Sequence, residues 1–303
     1  MIITKNILED GIYGLAIGDA LGVPYEFSAR ERISPPCTDM IGGGTYKQPA
    51  GTWSDDTSMV LATAEGLADM KDGDYRPIMQ NFTAWLLEDK YSVDGLFDMG
   101  GTCFKAIFRF FNNGVSPVEC GGKGQFDNGN GSLMRILPAS LYALGRGDDY
   151  DRTFIEDVSA FTHAHDISKT ACKIYTDVIK FILQKKNKED IFPLTEIYGQ
   201  DCFERLTRKD FYTSPAEGIK SSGFVVDTLE AALWCFYTTE SFADCVLKAV
   251  NLGGDTDTVA AVAGGLAGLY YGKNAIPQKW LNTLRAKDMI DKAIEKLYCS
   301  IKG

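Results

Sequence analysis

The sequence predicts an all-α protein, on three observations. Apolar residues recur at helical spacing over most of the chain, and the stretches between are short and glycine-rich. β-Branched groups such as Val225-Val226 are too isolated to build a sheet. The first helix carries Ile7, Ile12, Leu15 and Ala16 toward Asp19, with glycines at 11, 14 and 18. Those glycines weaken helix propensity, so their value lies in close helix–helix approach. After Asp55-Asp56, residues Met59, Ala62, Thr63 and Leu67 mark a second helix. Further helices are predicted over 76–89, 101–113, 133–145, 152–162, 166–186, 226–238, 241–250, 256–271 and 280–298, whereas 187–224 has few periodic features. The connectors IGGGTYKQPAGTW (41–53), CGGKGQFDNGNG (120–131) and NLGGD (251–255) lack the length and composition of interdomain linkers. With no internal repeat and no low-complexity segment, a single domain over 1–303 is the expectation.

Composition narrows the function classes. With 303 residues, 45% hydrophobic and 24% charged, the chain can bury a sizeable core. A net charge of −10, without a dense basic run, argues against a nucleic-acid partner; Lys185-Lys186-Asn187-Lys188 is short and reads as a solvated helix end. The eight cysteines form no Cys-x-x-Cys pair, which argues against zinc ribbons and thioredoxin-like sites. The opening MIITKNILEDG has no signal pattern, and no apolar run approaches the roughly 18 residues of a membrane span. A cytoplasmic protein with reduced thiols and no membrane association is expected.

Two segments carry the chemistry: Gly51-Thr52-Trp53-Ser54-Asp55-Asp56-Thr57 and Gly253-Gly254-Asp255-Thr256-Asp257-Thr258. Each is a glycine-led turn running into a helix. Capping accounts for one side chain at a helix start, but each start here carries two Asp and flanking hydroxyls. If both meet in space, four carboxylates oppose folding unless positive charge sits between them. Oxygen-only ligands suit Mg²⁺ or Mn²⁺, and two cations about 3.5–4 Å apart are the usual arrangement for activating a water.

Other segments are also unusual for packing alone. Asp19 and Glu26 lie in an apolar, small-residue run (18–27), either as exposed residues at a helix end or as site carboxylates. Asp98 precedes a glycine turn and reads as another N-cap region. The run Asp127-Asn128-Gly129-Asn130-Gly131-Ser132-Leu133-Met134-Arg135 is a connector or a turn offering backbone N–H groups to a phosphate. His163 and His165, placed on one helix, would project in different directions, and no third nitrogen ligand for zinc lies nearby.

In this order, GLAIGDALGVPYEF (14–27), GGGTYKQPAGTWSDDTSM (42–59), FDMGGTC (97–103), GNGSLMRILP (129–138), Thr162-His163 and LGGDTDTVAAVAGGLAG (252–268) resemble the ADP-ribosylglycohydrolase family, in particular its bacterial dinitrogenase reductase-activating branch. The pairing of WSDDTSM with GGDTDT is the most specific part. The resemblance implies a compact orthogonal helical bundle with two divalent cations, Mg²⁺ or Mn²⁺; a monomer is the separate expectation. It implies metal ligands at Ser54, Asp55, Asp56, Asp255, Asp257 and Thr258, and acid/base carboxylates at Asp98 and Glu26. Contacts to substrate are implied at Gly100, Asn128, Gly129, Asn130, Gly131, Ser132 and His163. Ser54 stands where many members carry Thr, and its hydroxyl keeps the ligating oxygen. The implied activity is hydrolysis of the bond joining ADP-ribose to a protein side chain, arginine above others, with the ADP-ribosylated protein and ADP-ribose as partners.

Two rivals make different demands. Asp255-Thr256-Asp257-Thr258 fits the nucleophile pattern of haloacid-dehalogenase-type phosphatases, which requires a hydrophobic strand before it. A relative that binds ADP-ribose without turnover would keep the ligands and lack the activity.

Overall fold

The computed structural model describes residues 1–147 and 150–302. Its α-helices are α1 (Lys5–Gly22), α2 (Asp55–Asp69), α3 (Arg76–Glu88), α4 (Gly101–Asn113), α5 (Leu137–Gly145), α6 (Arg152–Ala160) and α7 (Asp166–Leu183), then α8 (Lys188–Ile191), α9 (Val225–Tyr237), α10 (Phe242–Val250), α11 (Thr256–Tyr271), α12 (Gln278–Thr283) and α13 (Lys287–Lys302). Among the described residues, β pairing is limited to isolated bridges such as Gly129–Phe224. The chain is therefore all-α, as its periodicity predicts. No helix among the described residues is long and apolar enough to cross a membrane, and all eight cysteines are free.

The helix starts and stops follow local chemistry. The Thr4 side chain accepts from the Ile7 amide at the start of α1, and Ser54 accepts from the Asp56 amide at the start of α2. Gly114 ends α4 in the left-handed region at φ 64°. Two boundaries differ from the sequence expectation. The helix expected from 133 begins at Leu137, with Pro138 in its first turn, because residues 131–135 are taken up in a turn. The helix expected over 280–298 is two helices, interrupted at 284–286. There Leu284 is buried, the Arg285 amide donates to the Gly51 carbonyl at 3.1 Å, and Ala286 adopts φ 43°. That break ties the C-terminal region to the turn that launches α2.

The centre of the fold is α1 packed along α11. Both are buried on nearly every face, so neither shows an amphipathic stripe. Their backbones touch through glycine: a Cβ at Gly18 would lie 2.0 Å from the Ala260 carbonyl oxygen, and one at Gly22 would lie 2.3 Å from Cα of Asp257. The C-terminus of α1 is thereby held against the N-terminus of α11. Asp19, also on α1, binds the first turn of α2: its carboxylate accepts from the Ser54 amide at 2.9 Å, the Thr57 amide at 3.0 Å and the Thr57 hydroxyl at 2.6 Å. Both predicted helix starts thus converge on one end of α1.

The region 187–224 is mostly short turns around α8, but it is anchored by buried Phe192, Leu194, Phe203, Leu206, Phe211 and Tyr212. Its end reaches the α11 start through Arg30, whose guanidinium donates to the carbonyls of Ala216, Ile219 and Leu252. The Asp255 amide donates to the Ser221 carbonyl at 2.9 Å. Residues 251–255 form a turn opening a helix, with no strand before them. This removes the structural basis for the phosphatase reading.

Candidate active site

The turn before α11 is built for proximity. Gly253 and Gly254 both adopt φ 74°, where a side chain at Gly254 would strike the Ser221 carbonyl at 2.2 Å. The Gly254 carbonyl accepts from the Phe27 amide, and its N–H donates to the Ser28 carbonyl, each at 2.8 Å. Glu26 and Asp257 are therefore brought to one place by backbone bonds.

Two groups of carboxylates result. Oxygens of Asp19, Asp56 and Asp257 lie within 4.8 Å of one another, as do those of Glu26, Asp98 and Asp257, so Asp257 belongs to both. Asp19, Asp56 and Asp257 are fully buried and Glu26 is 3% exposed. Glu26 Oε2, Asp56 Oδ1 and Asp257 Oδ2 are buried without a hydrogen-bond partner. Among the described residues no Lys, Arg or His ion-pairs with these groups.

Burial raises these carboxyls first, and their mutual repulsion adds to it. Glu26 is pushed up to about 9 by desolvation and then by Asp98 and Asp255. Asp56 and Asp257 are driven well above the ordinary range by desolvation, with Asp19 adding to the first and Glu26 to the second. Asp19 is raised to about 6, desolvation being opposed by its bonds to Thr57 and Ser54. Asp55 and Asp255 are raised as well, chiefly by desolvation. Orphaned, all-oxygen carboxyl donors at this density fit hard divalent cations, whose binding would displace the protons.

Beside the carboxylates lies a cleft of about 230 Å³, walled by Glu26, Asp55, Asp98, Gly100, Gly129, Asn130, Gly131, His163, Gly223, Asp255 and Thr258, among others. A larger hollow of about 390 Å³ lies near Tyr142, Arg146 and Phe154, and among the described residues Asp151 is the single carboxylate in its lining. Donor chemistry singles out the smaller cleft.

The sequence-predicted residues sort as follows. Asp56, Asp257, Glu26 and Asp98 fall in the two carboxylate groups, while Asp55, Asp255 and Thr258 lie on the adjoining wall. The Ser54 hydroxyl is turned to Asp56, 3.4 Å from Oδ2. Gly100, Gly129, Asn130, Gly131 and His163 line the cleft. Asn130 is fixed by bonds from Nδ2 to Thr228 Oγ1 and Asp255 Oδ2, each at 3.0 Å. Ser132 is not on the wall: it is fully buried, and its hydroxyl accepts from Ser159 Oγ at 2.9 Å. Asn128 also lies outside the wall, its carbonyl accepting from the Val225 amide at 3.1 Å. The two histidines are not on one helix. They fall in the link between α6 and α7, and His165 Nδ1 caps α7 by accepting from the Ile167 amide.

Three participants have no assignment from sequence. Asp19 is buried in the cluster, not exposed at a helix end. Tyr46 donates to Asp98 Oδ1 at 2.8 Å. Thr162 bonds His163 Nδ1 at 2.9 Å. A carboxylate in an otherwise apolar helix was the available signal for Asp19; Thr162 stands next to His163 in a segment the resemblance includes, and the Tyr46–Asp98 pairing carries no local signal.

The ADP-ribosylglycohydrolase family model matches residues 5–302. An ADP-ribosylarginine hydrolase Tri1 of Serratia proteamaculans (strain 568) is 32% identical over 96% of this chain and 78% of its own. An ADP-ribosyl-[dinitrogen reductase] glycohydrolase of Rhodospirillum rubrum is 33% identical over 90% of this chain and 88% of its own. A solved structure from an "ADP-ribosylglycohydrolase-related protein complex" superimposes with a TM-score of 0.82, at 30% identity over 98% of both chains. With the carboxylate-bearing starts of α2 and α11 brought together inside a match of this extent, the chain belongs to the ADP-ribosylglycohydrolase family.

Proposed function

We propose that this protein hydrolyses the glycosidic bond between ADP-ribose and a protein side chain, with arginine as the acceptor, and so reverses mono-ADP-ribosylation. The observation that carries the proposal is the shared cluster at the starts of α2 and α11, with unpartnered buried oxygens on Asp56, Asp257 and Glu26 beside an open cleft. Relatives named for ADP-ribosylarginine hydrolysis supply the acceptor.

Asp19, Asp56 and Asp257 would hold one divalent cation, Mg²⁺ or Mn²⁺, and Asp257 with Asp55 and Asp255 a second, leaving Glu26 and Asp98 beside them to move protons. Ser54 and Thr258 complete the oxygen-rich surround. Bound divalent ions supply Lewis-acid polarisation and a lowered water pKa. The chain's own groups do the rest. The 129–131 turn and His163 receive the diphosphate side of ADP-ribose, orienting the anomeric carbon toward the carboxylates. The bond from that carbon to the guanidine nitrogen breaks through an oxocarbenium-like state, and a water oxygen takes its place. Asp98 accepts the water's proton, and the leaving nitrogen receives one from Glu26.

Release of free ADP-ribose from arginine- and serine-ADP-ribosylated proteins, with EDTA and after readdition of Mg²⁺ or Mn²⁺, tests this. Metal-dependent release from the arginine substrate is expected. Binding of ADP-ribose without release from either substrate would overturn the enzymatic reading, and full release in EDTA would overturn the metal assignment.

A further inference from the structure

Arg135 and His163 share one hydroxyl group. Arg135 is fully buried, with its guanidinium 4.9 Å from the centre of the Phe82 ring. Its Nη2 donates to the Val158 carbonyl at 3.0 Å and to Thr162 Oγ1 at 2.7 Å. That same Oγ1 lies 2.9 Å from His163 Nδ1. A guanidinium has only protons to give, so the Thr162 oxygen is an acceptor toward Arg135. The single hydroxyl proton then goes to the strongest remaining acceptor, which is the imidazole nitrogen. The Cys103 thiol abuts the same hydroxyl, but burial pushes it up to about 11. It is therefore an S–H, and its sulfur is a weaker acceptor than Nδ1.

The far side of the ring looks into the cleft. Among the described residues nothing hydrogen-bonds Nε2, and a Cβ at Gly129 would lie 3.5 Å from it. A Cβ at Gly131 would lie 2.7 Å from Cε1 of the same ring, so glycine at that turn leaves the imidazole edge uncovered. Burial, and then the Arg135 charge, hold the ring down to about 3, so one ring nitrogen carries a proton and the other does not.

We propose that Thr162, oriented by Arg135, fixes His163 as the Nε2–H tautomer and so presents a neutral N–H donor to an anionic oxygen in the cleft, that of the ADP-ribose diphosphate. The ligand's identity rests on the reading given above, whereas the tautomer is a property of the free protein. Thr162 and Arg135 are positioning residues in this scheme; His163 alone meets the ligand. Neutrality has a use here. Asp55, Asp98 and Asp255 share the cleft, and a cationic side chain would be drawn to them rather than left for the diphosphate.

The chain has two histidines, so long-range ¹⁵N–¹H correlation spectra of labelled protein resolve both rings. Wild type and Thr162→Ser should show His163 as a single Nε2–H form, with Nδ1 as a bare acceptor. Thr162→Val, which has no proton to give, should populate both tautomers and bind ADP-ribose about tenfold more weakly by calorimetry in Mg²⁺ buffer. An Nδ1–H form in the wild type would overturn the proposal, as would Thr162→Val with spectrum and affinity unchanged. Should the valine variant not fold, the wild-type and serine spectra still decide. A wild-type protein that shows the Nε2–H form yet binds no ADP-ribose would support the relay and remove the ligand reading.

Discussion

The phenolic hydroxyl of Tyr46 donates a hydrogen bond to Oδ1 of Asp98 at 2.8 Å, from a turn 52 residues earlier in the chain. Asp98 sits at φ 53°, a left-handed conformation that persists only when its surroundings fix it. The Tyr46 turn provides that fixing. Its ring packs at a tilt on Phe97, with centroids 5.0 Å apart, and the adjacent Thr45 hydroxyl donates to the Glu26 carbonyl at 3.1 Å. One short segment thus positions both carboxylates proposed to move protons.

Tyr46→Phe keeps the ring contact with Phe97 and removes the hydroxyl. A bond to a carboxylate contributes about 1.5–3 kcal/mol, so kcat should fall at least about tenfold, with little change in KM. Asp98→Asn should lower kcat further and leave ADP-ribose affinity largely intact. Steady-state release of ADP-ribose from an arginine-modified protein measures both; an unchanged kcat in Tyr46→Phe would remove the tyrosine from this role.

Asp257 belongs to both carboxylate groups, and its Oδ2 has no partner. Such a residue opposes stability in the metal-free protein, as expected of the cation ligand proposed above. Asp257→Asn relieves repulsion at constant shape. At about pH 8 in EDTA its Tm should rise by about 2–4 °C, corresponding to roughly 1 kcal/mol. Added Mg²⁺ should stabilise the wild type and leave the variant unmoved, and ADP-ribose release should be lost. A variant that melts lower than wild type in EDTA and still responds to Mg²⁺ would refute this assignment.

The pH dependence has a defined sign. Asp19 is raised to about 6 and Glu26 to about 9, both above their values of about 4 in an unfolded chain. Between those limits the folded, metal-free protein binds more protons than the unfolded one, so its stability falls as pH rises from about 4 toward 9. Cation binding requires the deprotonated carboxylates and acts in the opposite direction. The difference in Tm between saturating Mg²⁺ and EDTA should therefore widen from about pH 5.5 to about pH 8.5. A difference that stays flat or narrows over that range would contradict the arrangement of buried acids described above.

The helix starts at Ser54 and Asp255 were legible because capping uses one side chain and each start carries a surplus of oxygen ligands. Asp19 was not, because periodicity in an apolar helix does not say whether its one carboxylate faces a neighbour or water. Tyr46–Asp98 and Arg135–Thr162 are pairings made by tertiary structure, and no spacing rule encodes them. The same limit explains the helix break at Ala286: Arg285 bonds the Gly51 carbonyl there, with no glycine or proline to announce it. The Ser132 side chain is buried against Ser159, a placement the sequence does not show, because a glycine-rich turn announces available backbone N–H groups without showing where its side chains point.

The glycines of α1 link packing to the site. A Cβ at Gly18 would meet the Ala260 carbonyl oxygen at 2.0 Å and its carbon at 2.5 Å, both backbone atoms that no rotamer change can clear. Gly18→Ala must therefore push α11 away from α1, at a cost of about 3 kcal/mol. Asp257 stands one turn earlier on α11, against Gly22, so the displacement also moves it relative to Asp19 and Asp56. The expected result is a lower midpoint in urea together with weaker Mg²⁺ binding by calorimetry. Gly100→Ala is the contrast: its φ is −64° and nothing lies within 4 Å of an added Cβ, so stability should change by less than about 0.5 kcal/mol. If Gly18→Ala were as stable as Gly100→Ala and bound Mg²⁺ as the wild type does, the α1–α11 contact would not be what holds the two halves of the carboxylate cluster together.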